Sequence, residues 1–448
     1  MEIKRVLVTG VTGYIGGRLV PRLLDLGYTV RVLVREADRL HRRDWVDKVE
    51  IIEGDVLKPE TLIPAMDAIE AAYYLIHSMS GGDNFHKQDL IAANNFGVAA
   101  KNSGVTQIIY LGGLGDPKSD LSEHLESRQA TGRALTDAGV PVTEFRAAII
   151  VGAGSISFEM IRYLTERIPI MISPKWVFTR VQPIAIYDVL RYLTETLHTP
   201  QSVGRVIEIG GDDILTYGDM FMQYAEVRGL KRTLVPVPVL SPRLSSYWVH
   251  WMTPVPANIT RPLVEGLRNE VIVQDDSAKK IFPNIAPIDY RTAIKKALEG
   301  LETGQPETSW TDSLASSIGT DQPVLLKTHE GMIIEQRQVS VNAPSEEVFK
   351  EFSTLGGKRG WLYLGWAWKF RGAVDRLLGG VGLRRGRRDP SNLRVGDALD
   401  FYRVEDIIQG ELLRLRAELK FPGEAWMQFE AKSIDDKKSK LVQTVFFA

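Results

Sequence analysis

The sequence contains no cysteine among its 448 residues, and it lacks a long apolar run. The absence of cysteine excludes disulfide bonds, thiolate catalysis and cysteine-ligated zinc or iron–sulfur sites, and it fits a reducing compartment. Without about 18 consecutive apolar residues, we expect no transmembrane helix. The opening residues, MEIKRVLVTG, also lack the apolar core and cleavage site of a signal peptide. We therefore expect a cytoplasmic protein.

The sequence also lacks an excess of charge of either sign. Lys and Arg together number 55, Asp and Glu together number 56, and the formal net charge is −1. A balanced charge gives no global attraction to nucleic acid or to an anionic membrane. Hydrophobic residues make up 44% of the chain, which is typical of globular domains with large cores.

The first half of the chain alternates short β-branched runs with amphipathic stretches. This pattern predicts parallel β-α-β units and an α/β fold with a Rossmann-type, doubly wound sheet. The predicted strands are Lys4–Val8, Thr29–Val34, Val49–Ile52, Ala71–Ile76, Gln107–Leu111, Val142–Arg146 and Ile207–Gly210. The predicted helices are Tyr14–Leu26, Asp89–Ser103, Leu125–Ala138 and Asp188–Leu197.

The composition changes near residue 300. Residues 301–325 are rich in Ser, Thr, Gly and Pro, which predicts a linker between a first domain over 1–300 and a second over 326–448. The second domain is expected to be a smaller α+β unit, with a helix at Ser345–Glu351. Its predicted strands are Met332–Val341, Asp400–Glu405, Leu412–Leu419 and Trp426–Ala431. The chain stops within a strand-like run, LVQTVFFA, so we expect either a truncated domain or a partner that covers this surface.

A glycine-rich turn follows the first predicted strand. The stretch Val6–Gly17 reads VLVTGVTGYIGG, with glycines in the spacing G-x-x-G-x-x-G just before a helix. The first glycine permits a tight turn, the second lets the backbone approach a pyrophosphate, and the third lets the helix pack closely. The motif predicts a dinucleotide site, with contacts from Gly10, Thr12, Gly13, Tyr14, Ile15 and Gly16. A glycine-rich turn without a ligand is the alternative.

The next two strand ends indicate which dinucleotide binds. The second strand ends at Arg35, where NAD sites usually carry an acidic residue and where an arginine suits a 2′-phosphate. This predicts NADP, with NAD as the alternative because Glu36 follows. We interpret Arg39 as an exposed helix charge. Asp55 and Val56 end the third strand, where an adenine is expected, and an aspartate that only forms a turn is the competing interpretation.

Several motifs together resemble a known family. TGVTGYIG, EGDV, YYLIHSM and IIYLGG resemble the short-chain dehydrogenase/reductase superfamily, and more closely its atypical NmrA-like and isoflavone-reductase-like branch. With HLESR and SFEMIRYL, the chain is similar to bacterial NAD(P)-binding oxidoreductases that carry a C-terminal DUF2867 domain. That domain is similar to the START/polyketide-cyclase (SRPBCC) helix-grip fold. The resemblance implies further cofactor contacts from His77, Ser78, Gly112 and Gly113.

The candidate catalytic helix departs from this family. Typical members carry Tyr-x-x-x-Lys, whereas the chain has His124 and Arg128 at these positions, and glycines replace the usual serine after the fifth strand. Arg128 is expected to hold a ribose or a phosphate, since it stays protonated. His124, Ser127 or water is then expected to supply the proton. A surface histidine at a helix start is the alternative for His124.

Two functions fit these features. One is an NADP-dependent reductase of an apolar carbonyl, enone or quinone-like compound, with aromatic residues between about 155 and 300 covering the substrate. The other is a non-catalytic NAD(P) sensor or scaffold of the NmrA-like type. We expect no metal site, and a homo-oligomer is left open. In the second domain, Trp361, Trp366 and Trp368 precede an arginine cluster, and either an apolar ligand cavity or a filled core is expected.

Overall fold

The protein is described from a computed structural model, which divides the chain into two compact units. The first comprises Met1–Val249 and Val255–Ser313, and the second comprises His250–Pro254 and Leu314–Ala448. The described residues are 3–40, 43–76, 85–237, 266–302, 308, 333–357, 359–360, 372, 387, 389, 392–418, 424–435 and 437–447.

The first unit is built on a sheet of seven parallel strands in the order β11-β6-β5-β4-β1-β2-β3. These strands are β1 (Arg5–Thr9), β2 (Thr29–Val34), β3 (Glu50–Glu53), β4 (Ala71–Tyr74), β5 (Gln107–Gly113), β6 (Val142–Ala147) and β11 (Val206–Ile209). Because the chain moves outward from β1 on one side and from β4 on the other, the topological switch point lies between these two strands. The predicted Rossmann-type fold is confirmed.

Helices cover both faces of this sheet. They are α1 (Gly16–Asp25), α2 (Pro59–Met66), α3 (Phe85–Asn102), α4 (Glu123–Asp137) and α6 (Ile186–Glu195). Successive strand residues point to opposite faces, so Val6 and Val8 pack with α1 and α6, whereas Leu7 packs with α2, α3 and α4. Burial on both faces explains why the central strands β1 and β4 are mostly apolar.

Shorter elements complete the first unit. The helices are α5 (Ile156–Arg167), α7 (Tyr217–Val227), α8 (Ser277–Ile281) and α9 (Tyr290–Glu302), with 3₁₀ turns at Ala37–Leu40, Val46–Lys48, Lys175–Phe178, Thr196–His198 and Pro200–Ser202. The strands are β7 (Ile150–Val151), β8 (Ile170–Ser173), β9 (Arg180–Val181), β10 (Ile184–Ala185), β12 (Leu215–Thr216) and β13 (Thr233–Pro236). They pair as β10–β7, β12–β9 and β13–β8.

The second unit contains a six-stranded antiparallel sheet in the order β14-β19-β18-β17-β16-β15. Its elements are β14 (Ile333–Val341), α10 (Ser345–Ser353), β15 (Ala398–Leu399), β16 (Tyr402–Ile408), β17 (Leu412–Ala417), β18 (Ala425–Asp435) and β19 (Lys438–Phe447). Phe352 of α10 stacks on Phe429 with 5.4 Å between ring centroids. The predicted α+β architecture is confirmed, whereas the SRPBCC-like classification stays a prediction. Trp361, Trp366 and Trp368 lie outside the described residues.

Several predicted boundaries were wrong. The first helix begins at Gly16 and not at Tyr14, because Gly13 N–H donates to the Gly10 carbonyl at 2.9 Å and closes a turn there. The strand β4 ends at Tyr74, two residues earlier than predicted, and α3 begins at Phe85, four residues before the predicted start. Strand β5 continues through its two final glycines.

Candidate functional site

The glycine loop lies at the switch point of the parallel sheet. Gly10 follows β1 with φ +69°, and a Cβ atom at this position would lie 2.4 Å from the Leu75 carbonyl oxygen that follows β4. A Cβ atom on Gly16 would lie 2.4 Å from the Gly10 carbonyl oxygen. Thr9 joins the same two strands, since its hydroxyl donates to the Tyr73 carbonyl at 2.9 Å and accepts from the Leu75 N–H at 3.2 Å. The loop is thus held tightly at the carboxyl edge.

The start of α1 faces this edge. The N–H groups of Gly17 and Leu19 donate to the carbonyls of Gly13 and Ile15, at 3.1 Å and 2.9 Å. The Arg18 N–H also donates to the Ile15 carbonyl, at 3.1 Å, whereas the N–H groups of Ile15 and Gly16 are those that a helix start leaves without a carbonyl of the same helix. Together with the helix dipole, these groups suit a phosphate.

The end of β2 carries the residues expected to select the cofactor. Arg35 is exposed, whereas Glu36 accepts from the Arg39 guanidinium at 3.2 Å. The side chain of Arg39 is only 15% exposed, so its interpretation as an exposed helix charge was wrong. The pairing explains the burial, because the carboxylate compensates the charge of the guanidinium.

The end of β3 forms a tight turn. An Asp55 carboxylate oxygen accepts from Leu57 N–H at 3.0 Å, and Asp55 N–H donates to the Thr61 hydroxyl at 2.9 Å. These contacts are those of a turn-forming aspartate. Val56 is buried, and its carbonyl accepts from the Asn95 side-chain amide at 3.0 Å. The Asn95 side chain of α3 thus holds this turn.

The two glycines that end β5 allow α4 to approach the strand. A Cβ atom on Gly113 would lie 2.9 Å from Leu125 Cδ2, and one on Gly112 would lie 2.9 Å from a Glu144 carboxylate oxygen. A serine at either position would therefore displace these neighbours. His77 and Ser78, the other contacts implied at this edge, lie outside the described residues.

Helix α4 carries the candidate catalytic pair. The helix begins after Ser122, whose hydroxyl accepts from Leu125 N–H, and His124 is half-buried in the first turn. One turn later, the Arg128 guanidinium donates to the Leu111 carbonyl of β5 and lies 5.8 Å from the Tyr110 ring centroid. The Tyr110 hydroxyl donates to the Arg128 carbonyl at 2.9 Å, and burial raises the pKa of Tyr110 to about 12. This tyrosine is therefore a neutral structural donor.

Ser127 is enclosed within the protein. Ser127 is 1% exposed, and its hydroxyl has no hydrogen-bond partner within the described part of the chain. Its main-chain carbonyl accepts from the Thr131 hydroxyl at 2.9 Å. Such burial limits access of a substrate to this hydroxyl.

A buried ion pair beside β5 was missed by the sequence analysis. Glu144 of β6 is buried, and its carboxylate accepts from the Arg146 guanidinium at 2.7 Å. A Cβ atom on Gly132 of α4 would lie 2.4 Å from the other carboxylate oxygen. The glycine thus allows α4 to pack over this carboxylate, a relation that no local motif indicates.

A second missed residue holds the start of α4. The Asn269 side chain accepts from Ser122 N–H at 3.0 Å and donates to the Asp120 carbonyl at 2.7 Å. Asn269 is buried, and the hydrogen bond from Ser122 is buried with it, whereas the one to Asp120 is partly buried. It fixes the chain just before His124.

Within the described ranges, no group of three or more His, Asp or Glu side chains is arranged to hold a metal ion. Among the helices in the same ranges, none is long and apolar enough to cross a membrane.

Comparisons with known proteins agree with this architecture. Residues 10–140 match the family model described as NAD(P)H-binding, and residues 331–448 match the model described as Protein of unknown function (DUF2867). Pinoresinol reductase 1 of Arabidopsis thaliana is 22% identical over 316 residues, covering 63% of this chain and 94% of that protein. The photosystem II assembly factor Ycf39 of Cyanophora paradoxa is 26% identical over 239 residues, covering 52% of this chain and 72% of that protein.

Solved structures share the fold of the first unit. The triphenylmethane reductase of Citrobacter sp. complexed with NADP(H) superposes with a TM-score of 0.54 at 21% identity, covering 65% of this chain and 99% of that one. With the family model for residues 10–140, this likeness confirms the expected resemblance of the first unit to NAD(P)-binding Rossmann domains. Residues 10–140 thus resemble NAD(P)H-binding domains, and residues 331–448 resemble DUF2867 domains.

Proposed function

We propose that the protein is an NADP(H)-dependent reductase of an apolar carbonyl, enone or quinone-like compound. The observation that carries this proposal is the glycine loop, in which Gly10 at φ +69° folds against Leu75 at the switch point. Open α/β sheets bind their ligands at this place. The names of pinoresinol reductase 1 and of triphenylmethane reductase support a reduction.

The contacts after β2 favour NADP over NAD. Arg35 is exposed at the strand end, where a 2′-phosphate is expected. Glu36, the residue that competes for a ribose hydroxyl, is engaged by Arg39 at 3.2 Å. A positive charge at this position suits the 2′-phosphate of NADP.

The residues of α4 divide the remaining tasks. The nicotinamide, when bound, supplies a hydride to the substrate carbon. The substrate oxygen then needs a proton, which His124 supplies as the general acid. Arg128 stays protonated and is held at Leu111, so it positions the cofactor or the substrate and transfers no proton. Ser127 is too enclosed to compete with His124 or water.

The decisive experiment is nicotinamide absorbance with NADPH and then NADH, using a panel of apolar carbonyls, enones and quinones. His124→Gln is expected to lower kcat by about 100-fold, the usual scale of general acid catalysis, and to leave NADPH affinity unchanged. Glu126→Gln, an exposed neighbour on the same helix, is the matched control. Equal kcat values for H124Q and E126Q would remove His124 from the mechanism.

A second candidate function is a non-catalytic NAD(P) sensor or scaffold. The observation that favours it is the His124 and Arg128 pair on α4, which replaces the acid/base pair of the resembled family. The name of the photosystem II assembly factor is also that of a non-enzymatic role. Tight NADPH binding without turnover across the panel would favour this candidate over the reductase.

We infer that three regions of the chain have different roles. Residues 1–300 bind the cofactor and a small apolar substrate, 301–325 connect the domains, and 326–448 supply a separate ligand-binding domain. The six-stranded sheet of the second unit, with α10 packed on one face, supports an independently folded domain. Nucleotide titration of the full chain, followed by hydrogen exchange, should change the first region and leave β14–β19 unchanged.

A further inference from the structure

Thr308, which is distant in sequence, contacts the glycine loop at Tyr14. Thr308 is fully buried, and its hydroxyl donates to the Tyr14 carbonyl at 2.8 Å. The same hydroxyl accepts from Arg18 Nε at 2.8 Å. Thr308 lies within the stretch whose composition predicts a linker, so this contact joins that stretch to the candidate cofactor site.

Arg18 extends this contact to a third segment. Its guanidinium donates to the Ala153 carbonyl at 2.7 Å and to the Thr308 carbonyl at 3.1 Å, and it lies 4.6 Å from the Tyr14 ring centroid. The arginine is 7% exposed. Arg18 therefore connects α1, the loop between β7 and α5, and Thr308 in one buried network.

Gly17, next to Arg18, leaves space for the Thr308 side chain. A Cβ atom on Gly17 would lie 2.7 Å from Thr308 Cγ2 and 2.9 Å from the Val11 carbonyl oxygen. Real Cβ atoms essentially never approach this closely. The two glycines before Arg18 thus allow two close approaches. Gly16 lies against the Gly10 carbonyl of the loop, and Gly17 lies against the Thr308 side chain.

The hydrogen bond to Tyr14 has a geometric consequence. A peptide group is planar and trans, so its carbonyl and its N–H point in opposite directions. Thr308 holds the Tyr14 carbonyl, and the Ile15 N–H of the same peptide is thereby directed away from Thr308. That N–H is one of the groups at the start of α1 that lack a helix acceptor.

We propose that Thr308 is a positioning residue for the pyrophosphate of the dinucleotide. Its hydroxyl fixes the Tyr14–Ile15 peptide so that the Ile15 N–H is presented to a phosphate oxygen. This inference rests on the proposed cofactor site and goes beyond it, because it assigns a role at the cofactor to Thr308, a residue of the stretch that the composition predicts to be a linker.

The test compares two ligands in full-length variants. Thr308→Val keeps the shape and loses the hydroxyl, and it is expected to weaken NADPH binding about tenfold, the scale of a lost buried hydrogen bond. Adenosine 2′-monophosphate, which lacks the pyrophosphate, should bind to T308V as tightly as it binds to the wild type. If NADH binds more tightly than NADPH, adenosine is used in place of adenosine 2′-monophosphate. Thr308→Ser keeps the hydroxyl and should restore NADPH affinity.

A matched control addresses general loosening of the fold. Thr106 also donates its hydroxyl to a main-chain carbonyl, that of Glu70 at 2.8 Å, but it precedes β5 at the opposite edge of the sheet. Thr106→Val should lower the melting temperature without changing NADPH affinity. If T308V does not fold, Arg18→Lys serves instead, since it keeps the charge and loses the branched donor set; the same contrast between the two ligands is expected.

Each outcome decides between the proposals. Unchanged NADPH affinity in T308V overturns the positioning role and leaves the proposed reductase intact. Equal weakening of NADPH and adenosine 2′-monophosphate, or a T308S as weak as T308V, also overturns it, because the effect would not then come from the hydroxyl acting at the pyrophosphate. A wild-type protein that binds neither NADPH nor NADH overturns the proposed function and this inference together.

Discussion

The glycine loop allows backbone strain to be separated from steric overlap. Gly10 combines φ +69° with a Cβ position 2.4 Å from the Leu75 carbonyl oxygen. Gly16 has the same short distance, to the Gly10 carbonyl, without a positive φ. Gly104, in the turn between α3 and β5, has φ +78° with nothing within 4 Å of its Cβ position. Alanine at the three positions therefore isolates the two costs.

The magnitudes follow from these distances. Left-handed backbone costs an alanine about 1–2 kcal/mol, which is the expected loss of unfolding free energy for Gly104→Ala. Overlap with a fixed carbonyl costs about 1–3 kcal/mol in a packed region, which is expected for Gly16→Ala. Gly10→Ala carries both penalties and is expected to lose about 2–5 kcal/mol.

The assay is thermal unfolding of each variant together with NADPH titration. A loss of 1 kcal/mol lowers Tm by about 2–4 °C in a domain of this size. Gly104→Ala should shift Tm only, whereas Gly16→Ala and Gly10→Ala should also weaken NADPH, because the shifted loop displaces the N–H groups at the start of α1. A Gly16→Ala protein with wild-type Tm and wild-type NADPH affinity would refute the reasoning about the loop.

Three further predictions concern charged groups. Arg403 of the second unit is buried, which lowers its pKa to about 10, and its guanidinium pairs with the Glu418 carboxylate at 2.7 Å. Glu418→Gln should lower the free energy of unfolding by about 3 kcal/mol, because it leaves the buried cation without its partner. Hydrogen exchange should become faster in β16 and β17 and stay unchanged in β1. The main-chain N–H groups of Lys4 and Arg5 donate to the Glu70 carboxylate and lower its pKa. The stability that this carboxylate contributes is present above the ordinary carboxyl pKa and is lost as pH falls through the pKa of the folded state. The Glu70→Gln variant should therefore lose less unfolding free energy than the wild type between about pH 6 and about pH 3. Arg35→Ala should weaken NADPH by about tenfold or more and leave NADH unchanged, while Arg133→Ala, an exposed charge on α4, should change neither; an equal loss for both cofactors would contradict the 2′-phosphate assignment.

The architecture of the first unit could be predicted because it is encoded locally. Runs such as VLV and VRVLV are apolar at every or nearly every position, which is what a parallel strand covered on both faces requires. The glycine spacing after β1 likewise carries its own reason, since the positive φ of Gly10 is a property of a few neighbouring residues. Helix starts were less certain: the turn closed by Gly13 delays α1, and no local signal showed that delay.

The neighbours of the functional groups were decided only by the tertiary structure. His124 and Arg128 are one turn apart in the sequence, but the carbonyl of Leu111 that holds Arg128 comes from another element. Thr308 and Tyr14 are separated by 294 positions and meet through one hydroxyl. Local sequence determines which segments form strands, helices and tight turns, because those conformations depend on neighbouring residues. It leaves open which distant side chain completes the site, because that depends on how the folded segments pack.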